Sequence, residues 1–440
     1  MLSNEENELL TRVGPGTLMG NLLRRYWTPA LLSAEVAEVG GAPARVRLLG
    51  EDLVAFRDTS GKVGLLKEHC PHRGTSLHFG RNEACALRCV YHGWAFDREG
   101  NCVDMPSEPR PFADRIKATA YPVHESGGIV WTYMGPRETM GPFRDFGTES
   151  LADEVVSATR QETACSWLQS MEGIVDTAHI SFLHQFAAVD EIPDDGTDAP
   201  GYPSSAMSWR FWRHDRSPRL EIEDTWYGFR YAGLRSTPNR HVHARVTACC
   251  LPYSLVVAAI PFSTRHGIRV PIDDERSNCF QLVTHPPANP HGYGGIDQWG
   301  VSPFTAPFRT ARNTVLPRGL RLDNDFGIDR AAQRSYSFSG VSDFNSQDFM
   351  VTESMGPIYD RTEEHLGSTD VAVIRLRTVL LEAARALAQG KEPPALHGDF
   401  TGIRGAEKVL EAGEGWRGLG TDDDPVVREA LGLAPLEAAG

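Results

Sequence analysis

Residues 69–96, HCPHRGTSLHFGRNEACALRCVYHGWAF, concentrate two cysteines and two histidines in a pair of short motifs. Cys70 and His72 form C-x-H, Cys89 and His92 form C-x-x-H, and sixteen residues separate the two halves. Soft thiolates beside borderline imidazoles select zinc or an iron–sulfur centre, so this stretch is expected to fold around metal. Two cysteines and two histidines also make a structural zinc set, but C-x-H is tighter than the usual zinc spacing. Each half also carries glycines (Gly74; Gly80 and Gly93), where backbone N–H groups can face bridging sulfides and raise the potential of a cluster. Both features favour the cluster.

The rest of the chain is organised around that segment. Its 440 residues suggest two or three domains, and its 42 glycines and 29 prolines predict many turns and much β structure. Residues 4–26 read as helical, interrupted at Gly14-Pro15-Gly16, within an N-terminal helical segment at 1–39. VRLLGEDLVAFRD, the turn Thr59-Ser60-Gly61-Lys62 and VGLL read as a hairpin, and IVWTYMGP at 129–136 as another strand. These place a small β domain at 40–155. A second domain at 156–390 begins with an apparent helix at 162–186, followed by a Pro-rich loop at 190–205. Alternating runs at 206–285 read as antiparallel strands, LEIEDTWYGFRYAGLR and HVHARVTACCLPYSLVVAAI among them. A helix over 369–390 shows apolar residues at 371, 374, 381, 384 and 387, with Gly390 as its stop. Residues 391–440 form a C-terminal arm. The architecture is α+β.

The apparent helix at 162–186 carries a second constellation, Glu172, Asp176, His179 and His184. An iron that works on O2 beside a substrate needs open positions, which two histidines and one carboxylate on one face provide. Asp176 and His179, three residues apart, share a helix face. His179 and His184 are five apart, about 140° around a regular helix, so both face one metal only where the helix is broken or wide. Buried, satisfied histidines are the competing reading.

Together these residues resemble a known family. Cys70-Pro71-His72-Arg73-Gly74 with Cys89-Val90-Tyr91-His92-Gly93-Trp94 resembles the Rieske [2Fe–2S] motif of ring-hydroxylating oxygenases. EGIVDTAHISFLH is similar to the (N/E)-x-x-x-D-x-x-H-x-x-x-x-H element of Rieske non-haem iron oxygenases, and Trp167-Leu168-Gln169 ahead of it points to the phthalate dioxygenase-like branch. The resemblance, which covers about residues 1–385, implies that Cys70 and Cys89 hold one cluster iron and His72 and His92 the other. It makes His179 and His184 ligands of a mononuclear non-haem Fe(II). Asp176 would have a catalytic role, bridging His179 to His92 of a neighbouring subunit. A third ligand must come from far along the chain, where Asp325, Asp329, Asp343, Asp348 and Asp360 are all candidates by position. The branch's late segment resembles QDFMVTESMGPIYDRTEEHLGSTD, which puts the carboxylate at Asp348.

The implied fold is an N-terminal Rieske β domain followed by a catalytic domain with a curved antiparallel sheet and flanking helices, of helix-grip type. The implied activity is that of a terminal oxygenase component using O2 and electrons from an NAD(P)H-dependent flavin/iron–sulfur reductase. Its substrate would be an aromatic carboxylate, hydroxylated or oxidatively O-demethylated, with phthalate-type cis-dihydroxylation as the alternative. Arg235, ending the strand YGFRYAGLR, is expected to bind the substrate carboxylate through its planar fork; Arg230 and Arg245 are the alternatives. The shared carboxylate implies a homotrimer or stacked trimers.

A Rieske electron-transfer protein without oxygenase activity is the rival from a different class. A respiratory Rieske subunit would need a membrane anchor and usually a cysteine pair bracing the cluster. The net charge of −14 argues against nucleic acid, because an acidic chain repels phosphate. The uncharged stretch Val246–Thr264 contains Pro252 and Pro261 and reads as buried strands, so no membrane partner is expected. The acidic start, MLSNEENELL, lacks a basic region followed by an apolar one, and the eight cysteines are thinly spread. A cytoplasmic location follows as the expectation. Cys85 and the remaining cysteines are expected to be small buried residues.

Overall fold

In the computed structural model, residues 1–149, 156–185, 208–258, 264–284, 313–335 and 337–421 are described. Two helices open the chain, α1 (Asn4–Thr11) and α2 (Leu18–Leu23), broken at the Gly-Pro-Gly turn as the sequence predicts. Ser3 and Thr17 cap them by accepting hydrogen bonds from Glu6 N and Gly20 N. β1 (Trp27–Leu32) then pairs with β11 (Ile129–Tyr133), which is flanked on its other side by β10 (Val123–Ser126).

The expected hairpin is part of a meander. β2 (Ala44–Leu48), β3 (Glu51–Arg57) and β4 (Val63–Lys67) run antiparallel, and β9 (Ala120–Tyr121) joins their edge. Asp58 fixes the β3–β4 turn by accepting from Ser60 N and Lys62 N, while Gly61 takes φ +84°. A second small sheet, β5 (Arg81–Glu83), β6 (Ala86–Arg88), β7 (Ala95–Asp97) and β8 (Cys102–Asp104), carries the later Cys/His turn. Cys85 departs from expectation: it is exposed. Ala84 and Cys85 form the two-residue turn between β5 and β6, where both take positive φ (50° and 59°), as a tight hairpin demands. The other cysteines are buried.

The large sheet has the order β13-β14-β15-β16-β17-β18-β12-β19, with β20 on β15. Its strands are β12 (Val156–Thr163), β13 (Arg219–Thr225), β14 (Gly228–Ser236), β15 (Val242–Cys250), β16 (Ser254–Ala258), β17 (Thr264–Pro271), β18 (Ser277–Thr284), β19 (Thr314–Val315) and β20 (Ala406–Val409). All neighbours are antiparallel except β12 and β19. The apolar run from Val246 onward thus supplies strands. Among the described residues no helix is long and apolar enough to cross a membrane. Residues 190–205 and 422–440 lie outside the described residues.

Helices cover one face of this sheet. α3 (Trp167–Val175) packs on β17 and β18, and α4 (Ser208–His214) on β14. α5 (Arg330–Ser335) and α6 (Phe344–Glu353) follow β19, and α7 (Val371–Ala388) closes against α1, α2 and α3. α3 lies close to the sheet because Gly267 leaves room for Ile174 and Gly233 for Thr177; a Cβ at 233 would meet Thr177 Cγ2 at 3.0 Å.

Two helical expectations need correction. Glu162 and Thr163 belong to β12, and α3 stops at Val175 instead of running to 186. In α7 the buried stripe is Val373, Leu376, Leu380 and Ala384, while Ile374 faces outward. Arg377 is buried on this helix too, where it reaches acidic partners.

Candidate metal centres

The two Cys/His segments fold into turns of one design. Gly74 N donates to Cys70 O and Gly93 N to Cys89 O, each at 2.9 Å, and each glycine takes a positive φ (75° and 78°). Cys70 N donates to Thr75 O and Cys89 N to Trp94 O, closing both loops at the same offset. Both thiols are buried, whereas His72 and His92 are half-exposed. Their rings lie 4.4 Å apart between centroids, and His72 stacks on Trp94 at 4.2 Å. Burial, with Cys89 adding to it, pushes the Cys70 thiol up to about 11. Burial and the neighbouring His72 lower His92.

This cage has the features a cluster needs. Two thiols are held side by side inside, two imidazoles cap the outside, and His72 Nδ1 is buried without a hydrogen-bond partner. A buried ring nitrogen without a partner is costly unless it serves as a donor to metal.

The second group forms where α3 breaks. Asp176 leaves helical geometry (φ −65°, ψ 125°), and its carboxylate accepts from Ala178 N at 2.6 Å and His179 N at 3.2 Å. That turn replaces the next helical hydrogen bonds, so the chain passes into a single 3₁₀ turn at His179–Ser181. Of the broken or widened helix that the five-residue spacing calls for if both histidines face one metal, the chain adopts the break. His179 and His184 approach with centroids 5.1 Å apart.

Asp348 reaches them from α6. Its Oδ1 lies 3.6 Å from His179 Nε2 and 3.1 Å from His184 Nε2, and one donor atom from each residue falls within 4.8 Å of the others. The other four late aspartates stay outside this group. Asp343 caps α6, Asp329 accepts from Ala331 N and Ala332 N, Asp360 from Thr362 N, and Asp325 sits in a 3₁₀ segment at φ +51°.

Each histidine has a different group behind it. His179 Nδ1 lies 3.6 Å from Asp176 Oδ2. His184 Nδ1 lies 2.6 Å from Gln347 Oε1, and Gln347 Nε2 donates to Val341 O at 2.8 Å. Because a carbonyl only accepts, the Gln347 amide is oriented with its oxygen toward His184. Nδ1 then carries the proton, and the Nε2 lone pair points at the group. Phe344 stacks on His184 at 3.8 Å. Burial alone would raise the carboxyls of Asp348 and Asp176, but the histidines outweigh it and hold both below the ordinary range. His179 is raised, since Asp176 and Asp348 overcome its burial.

Glu172 belongs to a different assembly. It accepts from Arg361 Nε at 2.9 Å and Nη2 at 2.8 Å, and from Arg377 Nε at 2.6 Å, while Arg377 also grips Glu364. Arg361 is fully buried, and the arginines hold the Glu172 carboxyl low against its burial. Gln169 donates to Thr352 O and Gly356 O and accepts from Tyr359 N. Together Glu172 and Gln169 tie α3 to α6 and the segment after it, which sets His179 against Asp348. No local sequence signal marks Gln347, Arg361 or Arg377, whose partners lie far away in the chain.

Of the arginine candidates, Arg230 lies apart: it pairs with Glu223 and donates to Arg417 O. Arg235 is buried at 1% exposure on the helix-covered face, with Nη2 donating to Thr177 O at 2.7 Å. Its Nε and Nη1 have no partner. Burial, with Arg245 adding to it, pushes its pKa down to about 10. Arg235 also borders a cavity of about 490 Å³ at the end of the β14–β15 hairpin. Arg245 shares its face and is ion-paired.

A Cys/His cage on one β unit and a His-His-Asp group under the helices of another have the donor sets that suit an iron–sulfur cluster and a mononuclear iron. A model of the Rieske [2Fe-2S] domain matches residues 26–122, and one described as LigXa C-terminal domain like matches residues 132–427. The phthalate 4,5-dioxygenase oxygenase subunit of Pseudomonas putida is 38% identical, over 89% of this chain and 88% of its own. The 5,5'-dehydrodivanillate O-demethylase oxygenase subunit of Sphingobium sp. is 31% identical, over 90% and 84%. In fold, the terminal oxygenase of carbazole 1,9a-dioxygenase from Nocardioides aromaticivorans superposes with a TM-score of 0.55 at 19% identity, over 84% and 97%. The chain belongs to the Rieske non-haem iron oxygenases, as an oxygenase (alpha) subunit. Its cofactors are the [2Fe–2S] cluster and a mononuclear non-haem iron.

Proposed function

We propose that Cys70, Cys89, His72 and His92 hold the cluster, that His179, His184 and Asp348 hold the mononuclear iron, and that the enzyme oxidises an aromatic carboxylate. The observation that carries this reading is the approach of three donor atoms, from a broken helix end and from α6, to within 4.8 Å of one another. When bound, the cluster supplies single electrons and the mononuclear iron the redox chemistry that cleaves O2 beside the substrate.

The protein's own groups do the rest. Asp176 orients His179 and, in a cyclic homotrimer or stacked trimers, accepts a second N–H from His92 of the partner subunit. Such a head-to-tail contact is heterologous and closes into a ring. Gln347 keeps His184 in the tautomer whose Nε2 is free to bind metal. Arg235 offers Nε and Nη1 to the carboxylate while Thr177 O holds its third nitrogen. The burial that surrounds Arg235 excludes water and strengthens that pairing.

The names of two relatives, a phthalate dioxygenase and a dehydrodivanillate O-demethylase, support hydroxylation or oxidative O-demethylation of an aromatic acid. Electrons come from an NAD(P)H-dependent flavin/iron–sulfur reductase, and the enzyme works in the cytoplasm. The test combines metal content with turnover. The purified protein should hold about three irons and two acid-labile sulfides per chain. With a reductase it should couple O2 uptake to product from a panel of phthalates, hydroxybenzoates and methoxybenzoates. Stoichiometric zinc with no visible absorption would overturn the ligand assignment; no product from any acid in the panel would overturn the substrate class.

A further inference from the structure

The chain beyond α7 returns to the large sheet. β20 lies along β15 in antiparallel register, setting Glu407 opposite Arg245. The two side chains form an ion pair, Arg245 Nε to Glu407 Oε1 at 2.7 Å, in which Glu407 is 3% exposed. Arg245 points toward the metal-binding side of the sheet: its guanidinium lies over Trp212 of α4 at 5.6 Å, and its charge is felt at His179.

Arg235 is its diagonal neighbour. The β14–β15 register pairs Gly233 with Arg245 and Arg235 with His243, so both arginines share one face. Among the described residues no carboxylate lies within ion-pair distance of Arg235, and two of its nitrogens have no partner. His243 beside it is buried and kept neutral, by burial and then by Arg235. A further arginine of this face, Arg269 on β17, is buried with Nε and Nη1 also lacking partners, but it is three strands from β14, about 14 Å across the sheet. Its charge acts on Asp348. Two groups on neighbouring ring carbons cannot span from Arg235 to Arg269.

We propose that Glu407 is a specificity-determining residue: by pairing with Arg245 it ties up one of two adjacent guanidinium groups on this face, leaves Arg235 as the one of that pair open to a carboxylate, and selects acids with one carboxylate over those with two adjacent ones. A second carboxylate beside the first would meet the Glu407 carboxylate instead of a free guanidinium. In a desolvated site that like-charge approach is strongly unfavourable. The inference rests on the reading of Arg235 as the carboxylate ligand, and it gives the C-terminal arm a role in choosing substrate.

The test measures equilibrium binding of benzoate and phthalate to the holoenzyme by calorimetry. Wild type should prefer benzoate. Glu407→Gln should shift the phthalate-to-benzoate affinity ratio toward phthalate by tenfold or more. The double variant Glu407→Gln/Arg245→Gln, which removes the released cation together with the carboxylate, should bring the ratio back below that of the single variant, and Glu407→Ala replaces the single variant if Glu407→Gln does not fold. Arg235→Leu should weaken both acids by tenfold or more. An unchanged ratio in Glu407→Gln, or a double variant that favours phthalate as strongly as the single one, overturns the role of Glu407 and leaves Arg235 standing. Unchanged affinities in Arg235→Leu overturn the underlying reading itself.

Discussion

The four side chains of the proposed cluster cage come from two turns that close on themselves, whereas the three of the proposed mononuclear site come from elements that must be brought together. In the cage each cysteine and histidine pair sits within one loop, held by hydrogen bonds no more than five residues apart. At the second site His179 and His184 follow a helix break, and Asp348 arrives on a separate helix. The relative position of α3 and α6 is set elsewhere, by Gln169 and by Glu172 between Arg361 and Arg377. A locally built cage tolerates damage outside its turns. A site assembled over distance inherits every weakness of the contacts that assemble it.

That contrast can be broken most severely at a ligand. His184→Ala should abolish turnover and lose the mononuclear iron while the cluster's visible spectrum survives, because the cage does not use α3. Metal analysis and absorbance read the two outcomes separately. Normal turnover would remove His184 from the ligand set, and loss of both centres would deny that the two are built independently.

A smaller effect is expected from the anchoring pair. Arg361→Met leaves the Glu172 carboxylate with Arg377 alone, a loss of about 3 kcal/mol in global stability, seen as a lower denaturation midpoint. Iron retention should fall at the second site with the cluster spectrum kept. The pH dependence has a defined sign. The folded pKa of Glu172 lies below its unfolded value, so its contribution is complete above the unfolded pKa and disappears as pH falls through the folded one. Glu172→Gln should therefore flatten the acid limb of the stability curve, and an unchanged limb would show that the arginines do not depend on this charge.

Gln347→Leu sharpens the comparison within the second site alone. Removing the acceptor behind His184 should weaken iron binding about 10- to 100-fold in chelator competition, with stability and cluster absorbance near wild type. Equal iron affinity in the variant would mean that stacking on Phe344 alone orients the ring.

The same contrast decides what could be read from the chain. Cys70, His72, Cys89 and His92 announce themselves because the spacing is the structure. The five-residue interval between His179 and His184 already demands a broken helix, although the break's position at Asp176 depends on a carboxylate folding back onto its own backbone. Asp348 was one of five aspartates by position, and family likeness chose among them. Gln347, Arg361, Arg377 and Glu407 gave no signal, since each acts on a residue far away in sequence. Cys85 is exposed against expectation because it sits in a two-residue turn whose positive φ values turn its side chain to water.

The glycines under α3 have a consequence for how such an enzyme can be altered. At Gly233 and Gly267 the sheet is already as thin as a polypeptide allows, and Thr177 and Ile174 rest in the space. A Cβ at either position meets the end of one of these side chains, Ile174 Cδ1 or, at 3.0 Å, Thr177 Cγ2, so a substitution there can only take space from this layer and never add to it. The space between the sheet and the chain that carries His179 is therefore adjustable in one direction only. Room for a bulkier substrate would have to be found away from this layer.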